Sequence, residues 1–251
     1  IGTDTVAGAD VVVQLQGSLG TSLFTASGTD ISLRPLDFFA LGTGNVLYRF
    51  SDASDSPTDS ILLTGLTGTL IGIDYRPAVG LLYGVTSDSK LVRIDTANDF
   101  GVIEVANLSR AFSGGAEAGL DFNPAADRLR LVGANGTDFR INPQDGSVTV
   151  DGSLAYAVGD ANAGRTPNIT AVAYLNNRAG ATTTTLLDID STNRALSAQN
   201  PPNDGTLTTR GGTGIAATVT GFDVLTTPQG DNVGYGIASN LLVRFDTNTG
   251  A

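Results

Sequence analysis

The chain has 251 residues, enough for one domain with a sizeable core, and carries a net charge of −11. It contains no His, Cys, Met or Trp, which excludes thiolate and imidazole nucleophiles, a histidine general base and the usual zinc ligands. Nucleic acid is not expected as a partner, because phosphate binding needs clustered Lys and Arg and only 14 are present. No apolar run approaches the roughly 20 residues of a membrane span.

The start of the sequence bears on where the protein works. With no Met in the chain, Ile1 is not an initiator residue, so it was exposed by processing or the sequence is a fragment of a longer chain. Removal of a secretory signal is the simplest explanation. The lack of cysteine fits an exported bacterial protein that relies on its core, although a cytosolic protein would also fit. We therefore expect an extracellular or cell-surface protein.

The N-terminal 36 residues stand apart from the pattern that follows. They contain two strand-like stretches, residues 8–15 and 19–26. The repeated unit nearest the C-terminus is one strand shorter than the four units before it. We expect residues 1–36 to supply the missing strand, either within their own ring or by donation to a neighbouring subunit.

A short apolar strand that runs into Asp, Asn or Ser and then a turn occurs five times. The last positions of these units are 44, 47, 48 and 56 residues apart, a spacing typical of one four-stranded propeller blade per repeat. The units are Leu47-Tyr48-Arg49-Phe50-Ser51, Leu91-Val92-Arg93-Ile94-Asp95, Phe139-Arg140-Ile141-Asn142, Leu187-Asp188-Ile189-Asp190 and Leu242-Val243-Arg244-Phe245-Asp246.

A second series runs in phase with the first and leaves room for one strand between partners. Its members are Leu36-Asp37-Phe38, Ile73-Asp74-Tyr75, Leu120-Asp121-Phe122, Val172-Ala173-Tyr174 and Phe222-Asp223-Val224. The sequence therefore predicts an all-β protein, a β-propeller of five blades over residues 37–251, with residues 1–36 closing or extending the ring.

Several longer motifs resemble a known bacterial family. They are Gly72-Ile73-Asp74-Tyr75-Arg76-Pro77, Gly119-Leu120-Asp121-Phe122-Asn123-Pro124 with Asp127-Arg128-Leu129-Arg130, Asp160-Ala161-Asn162-Ala163-Gly164 and Gln199-Asn200-Pro201-Pro202-Asn203-Asp204-Gly205. In this order they resemble the domain of unknown function 4394, over about residues 38–250. The resemblance implies an exported, propeller-like β domain and supplies no activity.

The repeated Asp and Arg residues have a structural and a functional interpretation. Asp74 and Asp121 precede an aromatic residue and Pro, where a carboxylate can accept backbone N–H groups and fix a turn. The recurring arginines Arg49, Arg93, Arg140 and Arg244 are expected to pair with Asp or with carbonyls between blades. The alternative is a ring of arginines that binds an anion in the central channel.

Two polar loops, residues 158–170 and 199–206, occur once each and are candidates for function. Their side chains Asp160, Asn162, Asn203 and Asp204 offer oxygen ligands for calcium if the two loops meet at one face. The alternative is a set of turns that cap backbone groups. No other cofactor is expected.

A glycan hydrolase needs only two carboxylates, and Asp74, Asp121 and Asp223 could converge near the axis. Against an enzyme, the chain has no Trp and only 6% aromatic residues, so a sugar cleft would have few stacking surfaces. The sequence favours a non-enzymatic binding or structural module at the cell surface, which acts through protein partners or self-assembly. A calcium-assisted glycan binder and a carboxylate-based hydrolase are the alternatives.

Overall fold

The computed structural model describes residues 12–16, 37–51, 56–227 and 229–251. In these residues the chain forms five antiparallel sheets, each built mainly from strands that follow one another in sequence. The innermost strands lie against one another in a closed ring. The chain is therefore a five-bladed β-propeller, as the repeat spacing predicts.

The strands are given blade by blade, from the axis outwards. Blade 1 consists of β1 (Val12–Gln16), β2 (Asp37–Gly42), β3 (Val46–Ser51) and β4 (Asp59–Leu62). Blade 2 consists of β5 (Leu70–Arg76), β6 (Leu81–Thr86), β7 (Lys90–Asp95) and β8 (Gly101–Asn107). Blade 3 consists of β9 (Ala118–Asn123), β10 (Arg128–Gly133), β11 (Asp138–Ile141) and β12 (Val148–Val150).

The last two blades depart from this pattern. Blade 4 consists of β14 (Ile169–Tyr174), β15 (Leu186–Asp190), β16 (Ala195–Gln199) and β17 (Thr206–Gly212), and the short strand β13 (Ala155–Tyr156) pairs with β17 in parallel. Blade 5 has three described strands, β18 (Val219–Thr226), β19 (Asn232–Ala238) and β20 (Leu241–Phe245). Two single-turn 3₁₀ helices occupy Thr43–Asn45 and Pro202–Asp204.

The part of the N-terminal segment that the structure describes lies in blade 1. Val12–Gln16 pairs with β2 and forms the innermost strand of that blade; it does not join the β18–β20 sheet of blade 5. The second strand-like stretch, residues 19–26, lies outside the described residues. β1 also lies against β18 of blade 5, and an apolar cluster in which the ring centroids of Phe38 and Tyr235 are 5.0 Å apart joins the same two blades.

The repeated units do not all lie on equivalent strands. Leu187–Asp190 lies on β15, the second strand of blade 4, whereas the other four members of the first series lie on third strands. In the second series, Asp37 and Phe38 lie on β2 and the other four members on innermost strands. The prediction that one strand separates the two series was therefore wrong in blades 1 and 4, where the partners lie on adjacent strands. The alternation of apolar and polar residues is the same on every strand of a blade, so it does not tell which strand carries a unit.

The hydrophobic core is divided among the contacts between blades. Each of the five apolar clusters joins side chains of two neighbouring blades. Near the axis the inner strands approach so closely that a side chain does not fit at Gly119, where a Cβ would lie 2.6 Å from the backbone nitrogen of Val172. Burial between blades thus stabilises the ring as a whole. No helix in the described residues is long and apolar enough to cross a bilayer.

Candidate functional site at the propeller axis

Three inner strands bring a carboxylate to the same place on the axis. Asp74 lies on β5, Asp121 on β9 and Asp223 on β18, each with a side chain that is 0% exposed. One carboxylate oxygen from each residue lies within 4.8 Å of the other two. The three residues occupy the same position of the second repeated series, so the symmetry of the ring makes them converge.

Two of these carboxylates also hold the next blade. The backbone N–H of Phe122 donates to Asp74 Oδ2 over 2.5 Å, and the backbone N–H of Tyr174 donates to Asp121 Oδ1 over 3.1 Å. Blade 2 is thereby tied to blade 3, and blade 3 to blade 4. The prediction that Asp74 and Asp121 fix turns was wrong, because both lie inside strands and accept from a neighbouring inner strand.

The series is interrupted in blade 4, where Ala173 occupies the position of the carboxylates. With no carboxylate from blade 4, the backbone N–H of Val224 donates to Asp223 Oδ1 over 2.6 Å. The side-chain amide of Asn177 donates to the same oxygen over 3.2 Å. Asp223 therefore binds groups of blades 4 and 5, and Asn177 lies beside the cluster.

Burial makes the charges of this cluster costly. Among the described residues, neither Asp74 Oδ1 nor Asp121 Oδ2 has a hydrogen-bond partner. Burial, with the Asp223 carboxylate as the next cause, raises the pKa of Asp74 well above its usual range. Burial raises the pKa of Asp121 as well, and the Asp74 and Asp223 charges add to it. Three such groups need either protons or a cation to balance them.

The geometry does not support a glycan hydrolase built on these three residues. They converge as the sequence analysis allowed, but their side chains are fully buried and their nearest oxygens lie within 4.8 Å of one another. A hydrolase holds its two carboxyl groups at least about 5 Å apart on either side of a bond that a sugar chain can reach. These buried carboxylates are therefore not accessible to a sugar chain in this structure.

The residues predicted to bind calcium form two separate pairs, Asp160 with Asn162 and Asn203 with Asp204. Asp160 accepts hydrogen bonds from the backbone N–H and the hydroxyl of Thr209, both over 2.7 Å, and Asn162 donates to the same hydroxyl over 3.0 Å. Asn203 accepts from Arg130 Nη2 over 3.1 Å, and Asp204 ends the 3₁₀ helix Pro202–Asp204. The backbone N–H of Asn162 also donates to Asp160 Oδ1 over 2.8 Å, which caps a turn, whereas the other contacts join separate segments of the chain. Calcium at these loops stays a prediction.

A second buried polar cluster, which the sequence analysis missed, joins blades 3 and 4. Arg130 is 1% exposed and forms ion pairs of 2.6 Å with both Asp138 and Asp151. Its Nε donates to the hydroxyl of Tyr174 over 3.2 Å. The only sign of this network in the sequence is an Arg within the apolar strand Leu129-Arg130-Leu131-Val132.

The recurring arginines do not form a ring around the axis. Arg49, Arg93, Arg140 and Arg244 all lie on third strands, two strands away from the innermost strand of their blade. Arg140 pairs with Asp151 of its own blade over 2.6 Å. The anion site suggested for the central channel was therefore wrong.

These observations define a five-bladed β-propeller whose axis carries a buried cluster of three carboxylates. The sequence matches the family described as Domain of unknown function (DUF4394) over residues 46–251. The chain belongs to this family, as its motifs indicate. No curated protein matches the chain.

Solved structures show the same fold at low sequence identity. A structural genomics protein of unknown function from Bacteroides thetaiotaomicron superposes with a TM-score of 0.57 at 16% identity, over 83% of this chain and 55% of that one. This chain thus spans about half the length of the Bacteroides protein. The glutaminyl cyclase of Myxococcus xanthus superposes with a TM-score of 0.53 at 13% identity, over 83% of this chain and 84% of that one. At such identities the similarity shows the fold alone.

Proposed function

We propose that this chain is a non-enzymatic, exported module that binds a protein partner or further copies of itself through the outer rim of the propeller. The observation that carries this proposal is an exposed aliphatic residue on the outermost strand of three consecutive blades. Leu62 on β4 is 63% exposed, and Ile103 on β8 and Val150 on β12 are each 47% exposed. We take these three positions, one on the outer edge of each blade, as the points at which a partner contacts the rim.

The backbone of the rim supports the same function. Among the described residues, β4, β8 and β12 each pair with one neighbouring strand only. Such edges present free N–H and C=O groups to a strand supplied from outside, and side chains on alternate positions add specificity. The polar groups at the axis and those around Arg130 lie inside the protein, which leaves the outer surface for recognition.

The test compares the wild-type chain with Ile103→Lys, Val150→Lys and the double variant. Val79→Lys is the matched control, since Val79 is 50% exposed but lies in the turn between β5 and β6 and not on the rim. The mass in solution is measured by light scattering over a range of concentrations. We expect the wild type and the control to exceed the single-chain mass of 25.6 kDa, and the rim variants to return to it.

A single-chain mass for the wild type at every concentration would exclude self-assembly. Binding to a partner is then tested with a photoreactive residue at position 103 or 79 on intact producing cells. Cross-linked protein from position 103 and not from position 79 supports the rim, and equal yields contradict it. Antibody detection at the surface of the same cells tests export.

A further inference from the structure

We propose that Asp74, Asp121 and Asp223 form a binding site for one hard divalent cation, calcium by preference, on the propeller axis. The three carboxylates come from blades 2, 3 and 5, and a cation between them would join blades that are not all neighbours in the sequence. Carboxylate oxygens are the ligands that calcium and magnesium prefer. This inference is independent of the function proposed for the rim.

The first argument is that two carboxylate oxygens of the cluster lack a hydrogen-bond donor. Asp74 Oδ1 and Asp121 Oδ2 are buried and, among the described residues, lack any hydrogen-bond donor. Neither residue forms an ion pair with Lys or Arg in the described part of the chain. Since a buried acceptor without a partner is unfavourable and a charged one more so, two such oxygens in one cluster point to a ligand that binds them.

The second argument is the distance between the carboxylate oxygens, compared with the bond lengths of the two cations. Two oxygens on opposite sides of a calcium ion are about 4.6–5.2 Å apart, because each bond is about 2.3–2.6 Å long. For magnesium the corresponding separation is about 4.0–4.2 Å. Three oxygens around one ion are not opposite one another, so an ion equidistant from three oxygens at the limit of 4.8 Å would lie about 2.8 Å from each. This is slightly longer than a calcium bond and much longer than a magnesium bond of about 2.0–2.1 Å, so calcium requires the smaller movement of the carboxylates.

The third argument is a fourth oxygen at the edge of the cluster. Asn177 Oδ1 is buried and has no hydrogen-bond partner among the described residues, while the amide nitrogen of the same side chain donates to Asp223 Oδ1. A half-turn of the amide would place the oxygen beside the carboxylate, which is unfavourable unless a cation lies between them. Asn177, which is half-buried, would then supply a fourth oxygen ligand.

The experiment uses the whole chain, freed of metal with a chelator and then supplied with calcium or magnesium. Native mass spectrometry counts the ions retained, and thermal unfolding gives the stability of each form. We expect one bound calcium ion and a rise in melting temperature of about 5 °C or more at a concentration far above the dissociation constant. Magnesium should give a smaller rise.

Isosteric variants show whether a bound cation or shared protons balance the charges of the axial cluster. Asp121→Asn and Asp223→Asn keep an acceptor oxygen but remove a charge, and they should unfold at or above the wild-type temperature without metal while losing the response to calcium. The double variant Asp160→Asn, Asp204→Asn is the matched control, since it removes two carboxylates of the polar loops and should keep the full response.

The proposal is overturned if the wild type retains no ion and the axial variants are more stable than it in every buffer, because the cluster is then balanced by protons. It is also overturned if calcium stabilises the axial variants as much as the wild type. If the variants fail to fold, terbium luminescence excited through tyrosine is measured on the wild type. Calcium-displaceable emission supports the site, and its absence contradicts it.

Discussion

Asp74 and Phe122 join two neighbouring blades at the propeller axis, where the backbone N–H of Phe122 donates to Asp74 Oδ2 over 2.5 Å. Asp121 and Tyr174 repeat this contact one blade further on. The same carboxylates that form the axial cluster therefore also fix the positions of the inner strands. The hydrogen bonds between blades need an acceptor oxygen, whereas binding of a cation by the cluster needs a negative charge. Substitutions that keep the oxygen but remove the charge therefore separate the two roles.

The first prediction compares Asp121→Ala with Asp121→Asn in the presence of a chelator. Alanine leaves the buried N–H of Tyr174 without an acceptor, whereas asparagine keeps one. The alanine variant should therefore be less stable than the asparagine variant by about 1–3 kcal/mol, measured by urea denaturation. Equal stabilities would show that the hydrogen bond to Tyr174 does not clamp the blades.

The second prediction concerns the close approach of blades 3 and 4. In Gly119→Ala the new Cβ would lie 2.6 Å from the nitrogen of Val172 and 2.9 Å from the carbonyl carbon of Ala171, so the inner strands must move apart. We expect a loss of about 1–3 kcal/mol in the free energy of unfolding. Gly101→Ala is the control, because its nearest neighbour would be Asn98 O at 3.6 Å, and a loss as large there would contradict the packing argument.

The third prediction tests the buried network around Arg130. Arg130→Met removes the cation that pairs with the buried Asp138 and leaves Asp151 paired with Arg140 alone, which should destabilise the fold by about 3–5 kcal/mol. Arg140 pairs with the same Asp151, but its side chain is 33% exposed. Arg140→Met should therefore cost about 1 kcal/mol or less. Chemical denaturation of both variants measures the difference, and similar losses would refute the central role of Arg130.

The fourth prediction concerns the effect of the buried residue Asp188 on stability as the pH changes. Asp188 is 0% exposed and neither of its carboxylate oxygens has a partner in the described residues. Burial, reinforced by Asp138 and opposed by Arg130, raises its pKa well above the ordinary value of 3.8. In the folded chain Asp188 thus holds its proton after the unfolded chain has lost it, so this residue lowers stability increasingly as the pH rises above about 3.8.

Asp188→Asn removes this cost. The variant should melt at least about 2–4 °C above the wild type at neutral pH, since a shift of one pKa unit is worth about 1.4 kcal/mol. The advantage should disappear as the pH falls below the unfolded pKa. Asp145→Asn is the control of opposite sign, because hydrogen bonds from Ser147 lower the pKa of the exposed Asp145, and any stability that it adds is lost in acid. Melting curves at several pH values decide the matter, and a pH-independent difference for Asp188→Asn would contradict a buried, protonated carboxyl.

The sequence predicts the five blades because the repeat spacing depends only on the length of a blade. It does not predict which strand of a blade carries a given unit, as Leu187–Asp190 on β15 shows, because alternation is the same on every strand. It allows Asp74 and Asp223, 149 residues apart, to converge at the axis, but their sharing of one buried cluster becomes visible only when the ring closes. The Arg130 network could not be predicted either, because its partners come from segments with no common pattern.

The measurement that tests the axial cation most directly is anomalous diffraction from crystals grown with manganese, which occupies oxygen sites of this kind. A cation site predicts one anomalous peak between Asp74, Asp121 and Asp223, within about 2.0–2.6 Å of an oxygen from each. The contradictory result is a cluster without an anomalous peak, in which oxygens of two carboxyl groups lie at hydrogen-bond distance and share a proton.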